Sequence, residues 1–283
     1  PFLEYSLEYN KNKILSYSIG STQKALTIVE LNKLKIKIPS LLEQKRIASF
    51  LSKVDEKIEK LEKKQELWEN YKKGMMQQIF SQKIRFKDEN GEYYPDWEEK
   101  KFSDILFEHK TKSTGNEEVF SVSVHKGLIN QVEHLGRTFA APNTSKYNLV
   151  KPGDIVYTKS PTGDFPLGII KQSKLDKNVI VSPLYGVFSP VNRDLGLILD
   201  SYFESPTNTK NYLHPIVQKG AKNTMNITNN TFLSRSLVLP IHEKEQTKIA
   251  NFLSIIDSKI KITGKELEKV EEFKQGLLQQ MFC

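Results

Sequence analysis

The chain has 283 residues, 38% of them hydrophobic and 27% charged, with a formal charge of +8. That length supports one or two domains with their own cores, and the basic excess favours a polyanionic partner, nucleic acid being the commonest. The single cysteine, Cys283, excludes an internal disulfide framework and a cysteine-based zinc site, while the lack of a long apolar run or signal pattern argues against a membrane and for a reduced, cytoplasmic setting.

In chain order, the sequence opens on Pro1 in the middle of a helix-like phrase, FLEYSLEYNKNKIL, so a preceding portion is expected. A Gly20-Ser21-Thr22 turn and a strand-like KLKIKIP ending at Pro39 follow. Residues 47–80 then read IASFLSKVDEKIEKLEKKQELWENYKKGMMQQIF, and residues 249–282 read IANFLSIIDSKIKITGKELEKVEEFKQGLLQQMF. The two align at a constant offset of 202 without a gap, and 16 of 34 positions are identical. In the first copy Ile47, Leu51, Val54, Ile58, Leu61, Gln65, Trp68, Lys72, Met75 and Ile79 recur at steps of four and three. In the second the same steps give Ile249, Leu253, Ile256, Ile260, Thr263, Leu267, Val270, Lys274, Leu277 and Met281. Such a stripe, sustained for more than four heptads, predicts two long helices that cover each other, each about 50 Å long. Periodicity leaves open whether they run parallel or antiparallel, and by itself favours a generic dimerisation coiled coil; the flanks of the repeat are what point elsewhere.

Between the copies, residues 92–240 change character. Turn signals recur at Pro95, Gly127, Pro142-Asn143, Pro152-Gly153, Pro161-Thr162-Gly163 and Pro190, separated by β-prone runs at 119–124, 154–160, 167–172 and 178–188. The apolar segment 195–203 reads as a helix, and a strand ends at Pro240. Residues 126–240 carry 13 Lys and Arg against 7 Asp and Glu, so the basic excess sits in a globular α+β domain, not a tail.

The phrase GSTQKALTIVELNKLKIKIPSLLEQKRIASFLSKVDEKI, with its Pro-(apolar)-Glu-Gln-x-x-Ile-Ala-x-Phe-Leu pattern, resembles the junction between a target-recognition domain and its conserved helix in Type I restriction–modification specificity subunits. The pattern returns at LPIHEKEQTKIANFL, without the usual second proline, and PDWEEKKFSDILFEHK, LVKPGDIVYTKSP and VSPLYGVF resemble that family's domain start and interior strands. The resemblance implies an α+β fold in which α/β target-recognition domains are joined by two long helices packed as a coiled-coil spacer. The implied division is a first-domain remnant over 1–42, a spacer helix over 43–84, a second recognition domain over 85–242 and a second spacer helix over 243–283. It implies a non-catalytic, DNA-reading chain that recognises one half of a bipartite site. Modification (methyltransferase) subunits and restriction subunits would dock on it, and S-adenosylmethionine, ATP and Mg would be held by those partners, none by this chain. A fragment with one full domain could also pair with a second copy of itself. The alternatives are a basic coiled-coil adaptor and a nuclease.

Catalytic signatures are missing: there is no P-loop, no methylase Asn/Asp-Pro-Pro-aromatic motif and no Gly-rich cofactor loop. Asp96 and Glu98-x-Lys100 superficially suggest a metal nuclease, but they lie too close in sequence to converge on one ion, and Trp97 with Phe102 reads better as the anchor of a domain start. His109, His125, His134, His214 and His242 lack metal-ligand company and read as isolated surface or turn residues.

DNA contact calls for Lys, Arg, Asn and Gln on loops that reach a groove. Three segments qualify: Lys219, Lys222, Asn223, Thr224 and Asn226 after a Gly turn; Tyr157, Lys159, Ser160 and Thr162 after a strand; and Lys126, Gln131, Arg137, Asn143 and Lys146. In the first-domain remnant Ser21, Thr22, Gln23 and Lys24 occupy the place of the post-Gly loop. Replacing Lys222 and Asn223 together by Ala is expected to weaken cognate binding about tenfold or more. The helix–helix interface is expected from Ile47, Leu51, Val54, Ile58, Leu61, Trp68, Ile249, Leu253, Ile256, Ile260, Leu267 and Val270.

Overall fold

The computed structural model describes residues 1–18, 26–32, 34–132, 143–219 and 225–282, except the side chains of Glu30, Lys219 and Met225. It divides into two compact units, residues 1–73 with 256–283, and residues 74–255. Both long helices cross a unit boundary.

The first unit holds α1 (Phe2–Tyr9), α2 (Lys11–Ser16), α3 (Ile28–Leu31), most of α4 (Leu41–Phe80) and the second half of the final helix, Glu243–Phe282. Each long helix has 40 residues, hence a length of about 60 Å. Lys72 meets Asp257 at 2.6 Å, Lys64 meets Glu266 at 3.9 Å and Asp55 meets Lys274 at 3.0 Å. As one number falls the other rises, so the helices run antiparallel. Asp55 is the repeat counterpart of Asp257, and Lys72 of Lys274. One ion pair is therefore written twice, once from each side of a local two-fold axis.

Of the interface residues expected from periodicity, Leu51, Val54, Leu61, Ile249, Leu253 and Ile256 are buried, and Ile47, Ile58, Trp68, Ile260, Leu267 and Val270 are half-buried. The expected stripe slips by one near each C-terminus: Met76 and Leu278, not Met75 and Leu277, are buried. An α-helix has 3.6 residues per turn, so a stripe kept in register by straight helices drifts from strict heptads. The slip falls at equivalent positions in both copies. Helix α1 completes this unit: Phe2 and Tyr9 lie 5.3 and 6.0 Å from Phe282, ring centre to ring centre, and the Tyr5 hydroxyl donates to Asp55 at 2.5 Å. Burial, first, and the hydrogen bond to Asp55 push the Tyr5 phenol up.

Residues 34–40, expected as a strand, lie outside any strand. The equivalent second-copy segment, Ser236–Leu239, is a strand because Glu98–Lys101 pairs with it antiparallel. Among the described residues 34–40 has no such partner, and a strand without a ladder does not form.

The second unit is built around a four-stranded antiparallel sheet. Its order is β2 (Leu106–Phe107), β9 (Gly186–Pro190), β6 (Ile155–Tyr157), β7 (Ile170–Gln172). Shorter antiparallel pairs join β1 (Glu98–Lys101) to β12 (Ser236–Leu239), β3 (Phe120–Ser123) to β4 (Gly127–Asn130), β5 (Asn148–Val150) to β8 (Val179–Val181) and β10 (Gln218–Lys219) to β11 (Met225–Asn226). The β-prone runs thus become strands, and 195–203 lies within the helix Arg193–Phe203, capped by Asn192 accepting from the Leu195 amide.

Phe232 centres the core, with Tyr157, Phe188, Phe102 and Tyr212 at ring distances of 4.9, 5.1, 5.6 and 5.7 Å. Full burial of such side chains contributes about 1.5–3 kcal/mol each. The Tyr157 and Tyr212 hydroxyls donate to the carbonyls of Leu167 and Phe232, so their polar ends are satisfied. Trp97 and Phe102 are both buried in this core and anchor the domain start.

Candidate nucleic-acid interface

The positions singled out for DNA contact separate in the structure. Lys126, Asn143, Lys146, Ser160, Thr162 and Asn226 are exposed, and Gln131 and Lys159 are half-buried. Ser21, Thr22, Gln23, Lys24, Arg137, Lys222, Asn223, Thr224 and the Lys219 side chain lie outside the described residues. Tyr157 is a correction: it has 0% exposure, it stacks on Phe232, and its hydroxyl is committed to Leu167, so it cannot reach a ligand. The error arises because one residue of the loop phrase still belongs to β6, whose three residues are all buried.

Of the residues singled out, Lys159 alone lines a pocket of about 200 Å³, together with Glu108, His109, Lys110, Thr111, Lys112, Asn148, Pro183, Tyr185, Val187 and Asn229. Lys159 comes from the loop after β6. Asn148 follows the exposed 143–146 segment, and Asn229 follows β11 through a Thr228 cap. The residues contributed by 108–112 were not singled out by sequence reasoning.

Polar groups around this pocket are held firmly. Asn229 Nδ2 donates to Glu108 Oε1 at 2.7 Å. Lys112 Nζ donates to Asn148 Oδ1 at 2.5 Å, and Asn148 Nδ2 donates to the Tyr185 carbonyl at 2.9 Å. Asn229 Oδ1 is buried with no hydrogen-bond partner among the described residues. Desolvation lowers the Lys159 ammonium from its usual range, while the charge of Glu108 works in the opposite sense.

Two residues of the pocket, Lys110 and Lys159, adopt left-handed backbone conformations, with φ of 53° and 59°. For a residue with a Cβ this costs about 1–2 kcal/mol, a strain that concentrates at functional sites. Glycines make room for it. A Cβ on Gly168, itself at φ 102°, would sit 2.8 Å from the Lys159 nitrogen. A Cβ on Gly186 would sit 2.8 Å from the Phe188 ring and 3.0 Å from Asn229 Oδ1.

His109 is a second correction. Its Nε2 lies 3.0 Å from Asp154 Oδ2, and its Nδ1 accepts from the Thr111 amide, so the proton sits on Nε2. Asp154 is 3% exposed and also accepts from the Lys151 amide and the Ser189 hydroxyl. Ser189 bonds the carboxylate and not the imidazole, which is the wrong order for an activated nucleophile. The three residues brace the β6–β9 end of the sheet. Asp96 and Glu98 are likewise engaged, by Arg85 at 3.4 Å and Lys100 at 2.8 Å. Among the described residues no group of three or more His, Cys, Asp or Glu is placed to hold a metal ion, and no helix is long and apolar enough to cross a membrane.

A family model described as the Type I restriction modification DNA specificity domain matches residues 1–69 and 94–272. A putative type I restriction enzyme MjaX specificity subunit from Methanocaldococcus jannaschii is 28% identical over 297 residues, covering 98% of this chain and 66% of its own length. The type I restriction enzyme MjaVIII specificity subunit of the same organism is 26% identical over 304 residues, covering 98% and 68%. The chain thus spans about two thirds of the length of these curated relatives. In fold it is similar to the crystal structure of a Type-I restriction-modification system S subunit from M. genitalium, with a TM-score of 0.61 at 17% identity over all of this chain and 72% of the other.

Proposed function

Because the chain belongs to the Type I restriction modification DNA specificity family, we propose that it binds duplex DNA sequence-specifically through the loops around the 108–112, 143–148, 158–162 and 218–229 segments. It reads one half of a bipartite site and performs no catalysis. Residues 85–242 act as a target-recognition domain, and residues 1–42 are the closing part of a second one. The paired helices serve as a spacer on which modification and restriction subunits assemble, and S-adenosylmethionine, ATP and Mg belong to those partners. One observation carries this reading: the family match runs through both helix junctions and nearly all of the domain between them. A pocket in which Lys110, Lys112 and Lys159 meet Asn148 and Asn229 adds support from the geometry.

The test has two arms. Affinity for DNA is measured as salt rises; a DNA reader loses affinity steeply, with a slope set by its phosphate contacts. The chain is then reconstituted with a modification subunit and methylated adenines are mapped. A single recurring sequence at those adenines supports the proposal. A flat salt dependence with no preferred sequence means that the chain is a basic coiled-coil adaptor, and cleavage of DNA by the chain alone in Mg²⁺ means that it is a nuclease.

A further inference from the structure

The pocket between the candidate loops carries more than a general positive charge. A phosphate site needs donors only. Here a lysine, Lys159, shares the pocket with a carboxylate, Glu108, and the two are held by separate devices. Lys159 stands on a left-handed backbone that Gly168 alone makes room for. Glu108 is 19% exposed; its Oε1 is fixed by Asn229 at 2.7 Å, while its Oε2 lies 3.9 Å from the Lys110 ammonium. The pocket is net positive, with Lys110, Lys112 and Lys159 against Glu108, but a carboxylate offers a phosphate nothing to bind. It does match a base pair, whose major-groove edge presents a donor beside acceptors.

Resting on the DNA-binding reading, we propose that this pocket recognises a single G·C base pair, Lys159 donating to guanine O6 or N7 and Glu108 accepting from cytosine N4. Lysine to guanine and carboxylate to cytosine N4 are the pairings that these side chains make with base edges in the major groove. Asn229 is a positioning residue: it holds Glu108 Oε1 at 2.7 Å and leaves Oε2, beside the Lys110 ammonium, as the oxygen that would accept. Lys110 and Lys112 flank the mouth, where backbone phosphates on either side of the pair would lie.

The test is selection from a random duplex library by the full chain, beside Lys159→Met, Lys159→Gly and Glu108→Gln. Glycine suits the left-handed backbone at 159, so Lys159→Gly removes the side chain without adding strain. The expected result is that wild type fixes G·C at one position and both Lys159 variants lose that preference about tenfold, every other position and the salt slope being unchanged. Glu108→Gln relaxes the G·C requirement and admits T·A, with adenine read by glutamine in cytosine's place and thymine O4 facing Lys159. Asn229→Ala lowers the same preference with an unchanged salt slope, and a merely structural loss would weaken all positions together. Variants that keep wild-type selectivity overturn the inference while leaving DNA reading intact. A uniform loss of affinity with the slope reduced by about one reassigns Lys159 to a phosphate and also overturns it. Displacement of the duplex by free deoxyguanosine and deoxycytidine monophosphates assigns the pocket to a soluble nucleotide instead. A wild-type chain that selects no sequence removes the function itself.

Discussion

Gln44 and Gln246 hold the same place in the two copies of the repeat, and each donates its side-chain amide to the carbonyl of the proline before the helix, Pro39 or Pro240, at 2.8 Å. One residue earlier the copies part. Glu43 is exposed, whereas Glu245 has 0% exposure and receives the Arg85 guanidinium at 3.0 Å. Arg85 goes on to donate to the carbonyls of Tyr94 and Pro95, tying the segment before β1 to the second helix. The segments before the prolines differ in the same way, since 236–239 has a strand partner and 34–40 has none. A shared phrase therefore encodes its own helix and cap. Whether the flanking residues are buried, charged or paired depends on what stands next to them.

The sharpest test of that contrast is Glu245→Ala against Glu43→Ala. Removing Glu245 takes from Arg85, whose side chain is 12% exposed, its buried charge partner and leaves it the fully exposed Asp96 at 3.4 Å. The expected loss is about 3–5 kcal/mol, and the expected change at Glu43 is less than about 0.5 kcal/mol. Urea unfolding followed by tryptophan fluorescence measures both, and equal losses would break the comparison. At the stripe, by contrast, the copies should agree. Leu51 and Leu253 are both at 0% exposure, so Leu→Ala at either costs about 2–5 kcal/mol by the same assay. The two ion pairs come next. A double-mutant cycle on Lys72 and Asp257 should give a coupling of about 1 kcal/mol. The coupling of Lys274 and Asp55 should change when Glu8 is replaced by Ala, because Lys274 also bonds Glu8 at 2.9 Å and Asp55 also bonds Tyr5. An unchanged coupling would mean that α1 adds nothing to this pair.

The smallest effect is one of pH, in a turn with no counterpart in the first copy. Hydrogen bonds, first from the Thr114 side chain and then from Ser113, hold the Glu117 carboxyl down at about 2, against 4.5 for a free carboxyl. The folded value lies below the unfolded one, so this stabilisation is complete above about pH 4.5 and is lost as pH falls toward 2. Protection of the Thr114 amide, which donates to Glu117, should fall over that window once the intrinsic pH dependence of exchange is divided out, and Glu117→Gln should remove that fall.

Much of this was readable from residue order alone, for reasons that differ by element. The long helices follow from a duplicated period, and the strands from β-branched runs between Gly and Pro turns, both local signals. What escaped depends on distant neighbours. KLKIKIP has strand composition but lacks a ladder, and Tyr157 looked like part of a loop until the sheet turned it inward. Glu108 and His109 sit within a phrase that marks a domain start, and only the β2–β9–β6 pairing carries them to Lys159. Nothing in the sequence around Asn229 or Asn148 signals a pocket, because its walls are drawn from five separated stretches.

The mirrored ion pairs, Asp55 with Lys274 and Lys72 with Asp257, have a consequence for the origin of the chain. Each copy offers an acid near its start and a base further along, so a single ancestral helix carrying both would have matched a second molecule of itself, head against tail. Such isologous matching is how cyclic dimers form. The duplicated helix thus closes within one chain the contact that two copies of it would make with each other.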